Sequence, residues 1–326
     1  MKILVTGGLG LIGHNVVARL EQQRHLVIIT DTRTNYGIIP QDEIDYLIAE
    51  RLRKIKTDRI YGIDIADQAG IDWLISKHEI DIVIHLASFP RQKVVNANPQ
   101  LGSRAMSEGL LNLLESSSRH GVKKFVYISS SMVYGNFEDY IGIGVMESHD
   151  TNPIGQYGIM KLAGEWLVKD YQRRTNMAYT ILRPSAVYGP LDVEDRVIAK
   201  FMLTAMRGGQ LNVNGANEML DFTYVDDAAD GIVSATLSPD ADNSVYNITK
   251  SHSTSLLRAA ELAVKIAGSG TINVKDKDAD FPSRGALNID AARRDFNYDP
   301  QVDVEEGFRQ YYGWLKDSVY WSQKTV

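Results

Sequence analysis

Short apolar runs alternate with longer amphipathic segments over the first half of the chain. The apolar runs predict six buried strands, at residues 3–5, 25–30, 60–63, 81–86, 124–128 and 178–183. Between them, apolar residues recur at helical spacing and predict helices at residues 14–21, 41–54, 70–78, 99–120 and 154–174. Strands that alternate with helices form a parallel sheet with right-handed crossovers, so the pattern predicts an α/β fold with a doubly wound parallel sheet.

The regular alternation ends after Arg183, where loops, short strands and helices follow one another without a fixed order. Further helices are predicted at residues 197–207 and 255–267, and further strands at 222–225 and 244–248. We expect two units: a main domain of residues 1–183 plus 222–250, and a smaller, interrupted C-terminal lobe of residues 184–221 plus 251–326. The lobe is expected to cover the carboxyl edge of the sheet and to bind substrate, because ligands bind at that edge in such folds.

A glycine-rich turn joins the first strand to the first helix, in the sequence KILVTGGLGLIG. Its spacing, Gly7-x-x-Gly10-x-x-Gly13, suits a tight turn, a close approach of the backbone to a pyrophosphate, and close packing of helix on strand. Leu11 and Ile12 lie within this motif and are further expected cofactor contacts, and the free N–H groups at the start of the helix that follows favour phosphate binding. An ordinary glycine-rich turn is the alternative, but the position between a buried strand and a helix favours the dinucleotide site of a Rossmann fold.

Asp31 ends the second strand, about 20 residues after the glycines, which is where such folds bind the adenosine ribose. A carboxylate there accepts a hydrogen bond from the 2′-hydroxyl and repels the 2′-phosphate of NADP, so NAD is the expected cofactor. Arg33 lies two residues further on and could accommodate that phosphate, so NADP remains an alternative. The ends of the third and fourth strands supply the other expected cofactor contacts: Asp64, Ile65, Leu86, Ala87 and Ser88.

The composition excludes several classes of protein. The chain has 326 residues and a net charge of −6, which argues against non-specific binding to nucleic acid. It has no cysteine, and its seven histidines show no ligand spacing, so neither a disulfide nor a metal site is expected. No apolar run approaches the roughly 20 residues of a membrane span, and the chain begins with a core strand instead of a signal peptide. We therefore expect a cytoplasmic protein without membrane contacts.

Tyr157 and Lys161 lie four residues apart on a predicted helix and therefore share one face. A nearby ammonium group lowers the pKa of a tyrosine, and the phenol can then act as a general acid or base on a substrate hydroxyl. Ser130 ends the fifth strand, on the cofactor's side of the sheet, and could hydrogen-bond the same substrate oxygen. The alternative is a serine-rich turn beside an ordinary helix, but the position of the three residues favours a catalytic triad.

Five motifs in chain order resemble the extended short-chain dehydrogenase/reductase family: TGGLGLIG, ISSSMVYG, Tyr157-x-x-x-Lys161, LRPSAVYGP and DFTYVDDAADG. The resemblance is closest to its NAD-dependent epimerase/dehydratase branch, which includes the UDP-glucose 4-epimerases, and it covers nearly the whole chain. It implies catalytic Ser130, Tyr157 and Lys161, a tightly held NAD, a nucleotide-sugar substrate, and a homodimer formed by the helices near 99–120 and 154–174. It also implies cofactor contacts from Tyr157, Lys161, Pro184 and Val187, and substrate contacts from Ser130, Ser131, Met132, Tyr157, Ala186 and Arg284.

Some positions depart from the pattern of that family. Its 4,6-dehydratases carry an Asp-Glu pair where Ser131 and Met132 stand, so the acid/base pair for water elimination is missing and a dehydratase is not expected. Met106 stands where the family often has Asn.

The residues that hold substrate phosphates differ as well. Many members have Asn at the position of Ala186 and Arg at that of Leu220, and loss of the guanidinium removes a bidentate clamp. Arg284, in the sequence FPSRG, resembles the family's later phosphate-binding arginine. Further candidates for this role are Arg91, Arg183 and Arg196, although a surface or structural role is favoured for each of them.

The sequence thus predicts a nucleotide-sugar epimerase that oxidises C4 of the sugar transiently and returns the hydride to the other face. Tyr157 is expected to act as the base, Lys161 to lower its pKa and bind the nicotinamide ribose, and Ser130 to bind the reacting oxygen. Two alternatives remain: an NAD(P)-dependent reductase or dehydrogenase of a nucleotide sugar or small carbonyl compound, and a non-catalytic NAD(P)-sensing protein.

Overall fold

A seven-stranded parallel sheet forms the centre of the protein in a computed structural model, which describes residues 1–35, 37, 39–89, 92–137, 144–278 and 281–322. The strands in these residues are β1 (Lys2–Thr6), β2 (Leu26–Thr30), β3 (Ile60–Tyr61), β4 (Ile82–His85), β5 (Lys124–Ile128), β6 (Ala178–Pro184), β7 (Val187–Tyr188), β8 (Gln210–Asn214), β9 (Met219–Asp221), β10 (Thr223–Tyr224), β11 (Ser244–Ile248), β12 (Ser253–Ser255) and β13 (Thr271–Lys275). The central sheet has the order β3-β2-β1-β4-β5-β6-β11, and all neighbouring strands are parallel. This order confirms the predicted doubly wound fold, in which the direction of strand addition reverses between β1 and β4.

Helices connect the strands and cover the sheet. In the described residues they are α1 (Leu11–Gln22), α2 (Gln41–Leu52), α3 (Gln68–His78), α4 (Gln92–Ala97), α5 (Pro99–Ser103), α6 (Gly109–Arg119), α7 (Gln156–Thr175), α8 (Val197–Met206), α9 (Val225–Leu237), α10 (Leu256–Ala267), α11 (Asp290–Phe296), α12 (Val304–Asp317) and α13 (Val319–Ser322). A π-helical turn, Arg104–Glu108, joins α5 to α6, and a 3₁₀ turn, Ser131–Tyr134, follows β5.

Successive strand residues point into two different helical layers. Ile3 and Val5 of β1 lie in a buried cluster with Val16 of α1 and Ile232 of α9. Leu4, between them, lies in a second cluster with residues of α3, α6 and α7. The strands read as continuous apolar runs because both faces of the sheet are covered. The carboxyl ends of the strands are left as the edge at which ligands can bind.

A separate buried cluster holds the C-terminal lobe together, with Phe201 of α8, Leu262 of α10 and Phe308 of α12 among its members. Two small sheets accompany it, the parallel pair β8 with β13 and the antiparallel pair β9 with β12. The division into residues 1–183 plus 222–250 and 184–221 plus 251–326 stays our proposal, with one adjustment. Helix α11 packs in the cluster of the main sheet through Ala292 and Phe296, so we assign it to the main domain.

Two local expectations differ from the structure. The helix expected over residues 99–120 is divided into α5, the π-helical turn and α6, and α4 precedes it. The strand expected over 222–225 is the shorter β10, which pairs with β7 and not with the central sheet, and Val225 already begins α9. A π turn is a single-turn interruption within a helical stretch, too short to change the apolar pattern of the whole segment. Pairing between distant residues leaves no local periodic signal, so neither feature could be predicted from the pattern.

Candidate active site

A large cleft runs along the carboxyl edge of the sheet, between the sheet and the C-terminal lobe. Its volume of about 1120 Å³ leaves room for a dinucleotide and a second ligand, because single small-ligand sites usually have about 300–1,000 Å³. Every residue expected to contact cofactor or substrate lines it: Gly7, Gly10, Leu11, Ile12, Gly13, Asp31, Arg33, Asp64, Ile65, Leu86, Ala87, Ser88, Ser130, Ser131, Met132, Tyr157, Lys161, Pro184, Ala186, Val187 and Arg284. The structure thus brings the expected residues together, and their individual roles stay predictions.

The three glycines of the turn serve different purposes. Gly7 has φ +68°, and a Cβ there would stand 2.7 Å from the backbone nitrogen of Ala87. A Cβ on Gly13 would collide with the carbonyl oxygen of Gly7, so this glycine lets α1 pack against the turn. A Cβ on Gly10 would meet only the Gly7 oxygen, at 3.2 Å. Gly10 precedes α1 and no side chain caps this helix, so its free N–H groups face the cleft. Gly10 has no side chain that would block a ligand from approaching these groups.

Asp31 holds the glycine turn from the end of β2. Its Oδ2 accepts the N–H of Leu9 at 2.9 Å, and its Oδ1 accepts the N–H of Arg33 at 2.8 Å. Each carboxylate oxygen has a further lone pair, so Asp31 can also accept a hydrogen bond from a ribose hydroxyl in the cleft. The uncapped N-terminus of α1, the open position at Gly10 and the carboxylate of Asp31 together fit the pyrophosphate and adenosine ribose of NAD.

The end of β4 forms the floor of the cleft next to the glycine turn. The Thr6 hydroxyl accepts the N–H of Ala87 at 3.2 Å and hydrogen-bonds Nδ1 of His85 at 2.8 Å. Burial lowers the pKa of His85 to about 3, so its imidazole is neutral at ordinary pH. These bonds fix the small residues after β4 against the turn. His85 is therefore a structural residue of the floor.

Ser130, Tyr157 and Lys161 meet on one wall of the cleft. Ser130 caps the 3₁₀ turn after β5, and its Oγ accepts the N–H of Met132 at 3.2 Å. Lys161 donates from Nζ to the carbonyl oxygen of Ile128 at 2.8 Å, and this nitrogen lies 5.9 Å from the centre of the Tyr157 ring. The wall therefore combines a hydroxyl, a phenol and an amine at the end of the fifth strand, as the spacing predicts.

The pKa of Tyr157 reflects its burial and the charges around it. Burial raises the pKa of Tyr157 above its ordinary value, while the charge of Arg196 and a hydrogen bond with Ser130 act in the opposite direction. Burial also lowers the pKa of Lys161 to about 7, which leaves its amine only partly charged near neutral pH. Burial thus outweighs the neighbouring charges at Tyr157, and the influence expected of Lys161 on its pKa stays a prediction.

The part of the cleft beyond the triad combines apolar and charged side chains. Met132 is buried there, and Leu220 of β9 adds an apolar side chain. Ala186 adopts φ +36°, a conformation rare for a residue with a Cβ. Arg284 lines this part with a buried Nε that has no hydrogen-bond partner among the described residues, and burial lowers its pKa to about 10. Arg284 is thus a cation with unused hydrogen-bonding capacity.

The other candidate arginines have different positions. Arg183 is buried in an ion pair with Glu165 and is therefore a structural residue, not a phosphate ligand. Arg196 lines the cleft just before α8 and stays 3.7 Å from Asp192. Arg91 lies outside the described residues.

Several residues of the site were missed at the level of sequence. Glu165 lies one turn from Lys161 on α7, and its i, i+4 spacing was a usable signal. The C-terminal lobe contributes polar side chains that no motif indicates. Asn212 and Asn214 lie on β8, which pairs with β13, and Glu218 and Lys277 form an ion pair just outside these strands. No group of three or more potential metal-binding side chains occurs in the described ranges. Among the helices described, none combines the length and the apolar character required to span a bilayer.

This chain is similar to known proteins in both sequence and structure. The model of the NAD-dependent epimerase/dehydratase family matches residues 3–249. An uncharacterized UDP-glucose epimerase of Bacillus subtilis is 28% identical over 327 residues, which cover 98% of this chain and 99% of that protein. The solved UDP-glucose 4-epimerase of Thermotoga maritima, with UDP-glucose, has a TM-score of 0.85 at 28% identity, with 97% and 99% of the two chains covered.

A second solved structure gives the same result. The UDP-glucuronic acid 4-epimerase of Bacillus cereus, in complex with UDP-glucuronic acid and NAD, has a TM-score of 0.88 at 27% identity, with 97% of this chain and 99% of that chain covered. These relatives span almost the same length as the present chain, so the similarity includes both the sheet and the C-terminal lobe.

Proposed function

The chain belongs to the NAD-dependent epimerase/dehydratase family, and from that premise we propose that it is a nucleotide-sugar 4-epimerase. One observation carries the proposal: Ser130, Tyr157 and Lys161 share the wall of a cleft that also holds the glycine turn and has room for a second ligand. The similarity to solved 4-epimerases with bound UDP-sugars supports the class of substrate.

NAD, when bound, would supply reversible hydride transfer at the sugar carbon. Gly7, Gly10 and Gly13 would hold its pyrophosphate at the N-terminus of α1, and Asp31 would accept the hydrogen bond of the adenosine ribose. Lys161, fixed to the Ile128 carbonyl, would hydrogen-bond the nicotinamide ribose.

Tyr157 would remove the proton of the sugar C4 hydroxyl as its carbon is oxidised, and would return it when the keto group is reduced. Ser130 would donate a hydrogen bond to the same oxygen and keep it in place. Because burial raises the pKa of Tyr157, the phenolate is a stronger base than an exposed one, but a smaller fraction of the enzyme carries it at neutral pH. Arg196 and Arg284, whose charges favour the phenolate, offset part of this shift.

Arg284 would also bind the diphosphate of the substrate, since its buried Nε has no partner among the described residues. Ser131, Met132 and Ala186 would surround the sugar. A 4-epimerase requires space for the keto-sugar to turn over between the two hydride transfers, and the volume of the cleft, about 1120 Å³, supports this proposal.

The proposal is tested with a panel of UDP-, GDP-, CDP- and dTDP-sugars, with products followed by NMR and the reduced cofactor by its ultraviolet absorbance. Formation of a 4-epimer without net reduction or oxidation of the cofactor is the expected result. Stoichiometric change of the cofactor would instead identify a reductase or dehydrogenase. No turnover with any sugar, despite bound NAD, would favour the non-catalytic alternative.

We also propose a homodimer formed by α7 and the helical segment from α5 to α6. These helices carry large apolar side chains that the single chain leaves exposed: Leu101, Leu111, Ile159 and Trp166. Trp166, with 63% of its surface exposed, is the largest of them. Light scattering is expected to give twice the mass of 36.4 kDa for the natural chain and a monomer for Trp166→Asp. A natural chain that is monomeric at micromolar concentration would refute this arrangement.

A further inference from the structure

A buried carboxylate lies directly behind the catalytic wall. Glu165 has 1% of its side chain exposed and pairs with Arg183 of β6, whose Nε and Nη2 donate to Oε1 and Oε2 at 2.9 and 2.7 Å. The Ser129 hydroxyl also donates to Oε1, at 2.6 Å. Glu165 therefore connects α7 to the ends of β5 and β6. Ser129 is the neighbour of Ser130, so this connection fixes the serine of the triad relative to α7.

Glu165 also lies one helical turn from Lys161, on the same inner face of α7. Lys161 is buried, and its Nζ donates to the Ile128 carbonyl at the end of β5. Burial lowers the pKa of Lys161, and the negative charge of Glu165 is the influence that opposes this shift. A carboxylate at this place thus favours the ammonium form of the amine that faces the cleft.

The other titratable groups around Lys161 do not supply that negative charge. On β5 and α7, the rings of Tyr127 and Tyr157 lie 5.3 and 5.9 Å from Nζ, and burial raises the pKa of both phenols, which keeps them neutral. On β4, His85 is neutral because burial lowers its pKa to about 3. On β6, Arg183 is a cation.

We propose that Glu165 is a positioning residue that favours the charged form of Lys161 and holds Ser130 in register with Tyr157. The carboxylate acts through its neighbours and does not reach the cleft itself. The proposal rests on the roles that the proposed function gives to Lys161, Tyr157 and Ser130, but its electrostatic part can be measured without turnover.

The choice of variants follows from the burial of the pair. Glu165→Gln alone leaves Arg183 buried without its counter-charge, a change that often prevents folding. The double variant Glu165→Gln, Arg183→Gln removes one charge of each sign and is the safer test. Asp170→Asn is the matched control, because Asp170 lies on the same helix and its ion pairs with Arg173 and Arg174 are on the surface. Glu165→Asp keeps the charge and serves as the conservative variant.

The measurement is an NMR titration of the full chain with lysines labelled with carbon-13 at Cε and with NAD in excess. The resonance of Lys161 is assigned by its loss in Lys161→Met. We expect the Lys161 resonance of the double variant to titrate about one pH unit lower than in the natural chain, because a nearby opposite charge raises the pKa of an ammonium group. Glu165 is the charge that acts on Lys161 in this way, and Arg183 is not among the influences on its pKa. The Lys161 resonance of Asp170→Asn should titrate at the same pH as that of the natural chain. The Lys161 resonance of Glu165→Asp should titrate close to that pH.

A Lys161 resonance that titrates at the same pH in the natural chain and the folded double variant would overturn the proposal. This result is independent of whether the protein is an epimerase, because no substrate takes part. With a sugar substrate identified, the alkaline limb of the pH profile of kcat should move to lower pH in the double variant and not in Asp170→Asn. A uniform decrease of kcat at all pH values would mean that Glu165 has only a structural role.

Discussion

Gly10 and Gly13 allow cofactor binding to be separated from folding. In Gly10→Ala, the new methyl group would meet only the Gly7 carbonyl oxygen, at 3.2 Å, a contact that a shift of a few tenths of an ångström relieves. Gly10 has φ −70° and ψ 173°, which alanine adopts without strain. The free energy of unfolding should therefore change by less than about 1 kcal/mol.

The same methyl group would stand at the N-terminus of α1, where the pyrophosphate of NAD must approach the backbone. We expect the dissociation constant of NAD to rise at least tenfold, which corresponds to about 1.4 kcal/mol of binding free energy. The natural chain and Gly10→Ala should thus be nearly equal in stability and clearly different in affinity.

Gly13→Ala is the opposite case. Its Cβ would collide with the Gly7 carbonyl oxygen and stand 2.8 and 2.9 Å from Cα and C of Gly8, all of them backbone atoms of the turn. Overpacking of this kind costs about 1–3 kcal/mol, and we expect about 2 kcal/mol or more here because no flexible side chain can move aside.

Urea unfolding gives the stability of each variant, and calorimetric titration gives its affinity for NAD. Unchanged NAD affinity in Gly10→Ala would refute the placement of the pyrophosphate at this turn. Unchanged stability in Gly13→Ala would refute the packing described for α1.

Three further predictions follow from the buried charges and from the cofactor site. Arg183→Gln leaves the carboxylate of Glu165 buried without a counter-charge and should lower the free energy of unfolding by about 3–5 kcal/mol. The added change Glu165→Gln should restore most of this loss of stability. Urea unfolding of the single and the double variant tests both expectations. Burial raises the pKa of Asp221 from 3.8 to about 7, so the folded chain keeps a proton that the unfolded chain releases, and the contribution of this group to stability falls as pH rises through that window. Asp221→Asn should therefore become more stable relative to the natural chain as pH rises from 4 to 8 in a series of unfolding curves, and a constant difference would contradict the buried position of the carboxyl group. Asp31→Asn removes the charge that repels a 2′-phosphate, so the ratio of the dissociation constants of NADP and NAD should decrease, and an unchanged ratio would show that Asp31 does not face the ribose.

The sheet and the catalytic wall could be predicted because their signals are local. The first five strands of the central sheet are followed by helical segments, and the glycines and the Tyr157-x-x-x-Lys161 spacing lie within single elements or at their junctions. The end of a strand in a parallel sheet fixes which edge its next residue occupies, so the order of strands and helices was enough to place Ser130 and Asp31 on the cofactor's side.

The features that could not be predicted depend on contacts between distant parts of the chain. Pairing of β8 with β13 joins residues about 60 positions apart and brings Asn212 and Lys277 to the cleft. The pKa of Tyr157 depends on burial by several elements, and the role of Arg183 depends on Glu165, which lies on a different element. Arginine spacing alone could not distinguish a phosphate ligand from half of a buried ion pair.

The most direct test of the proposed reaction uses a nucleotide sugar that carries deuterium at C4. Transient oxidation at this carbon predicts that the 4-epimer keeps its deuterium, that turnover shows a primary isotope effect, and that Tyr157→Phe lowers kcat by about 10²–10⁴-fold, the usual contribution of a general base. Loss of the deuterium to solvent, or activity in Tyr157→Phe within about tenfold of the natural chain, would contradict the mechanism.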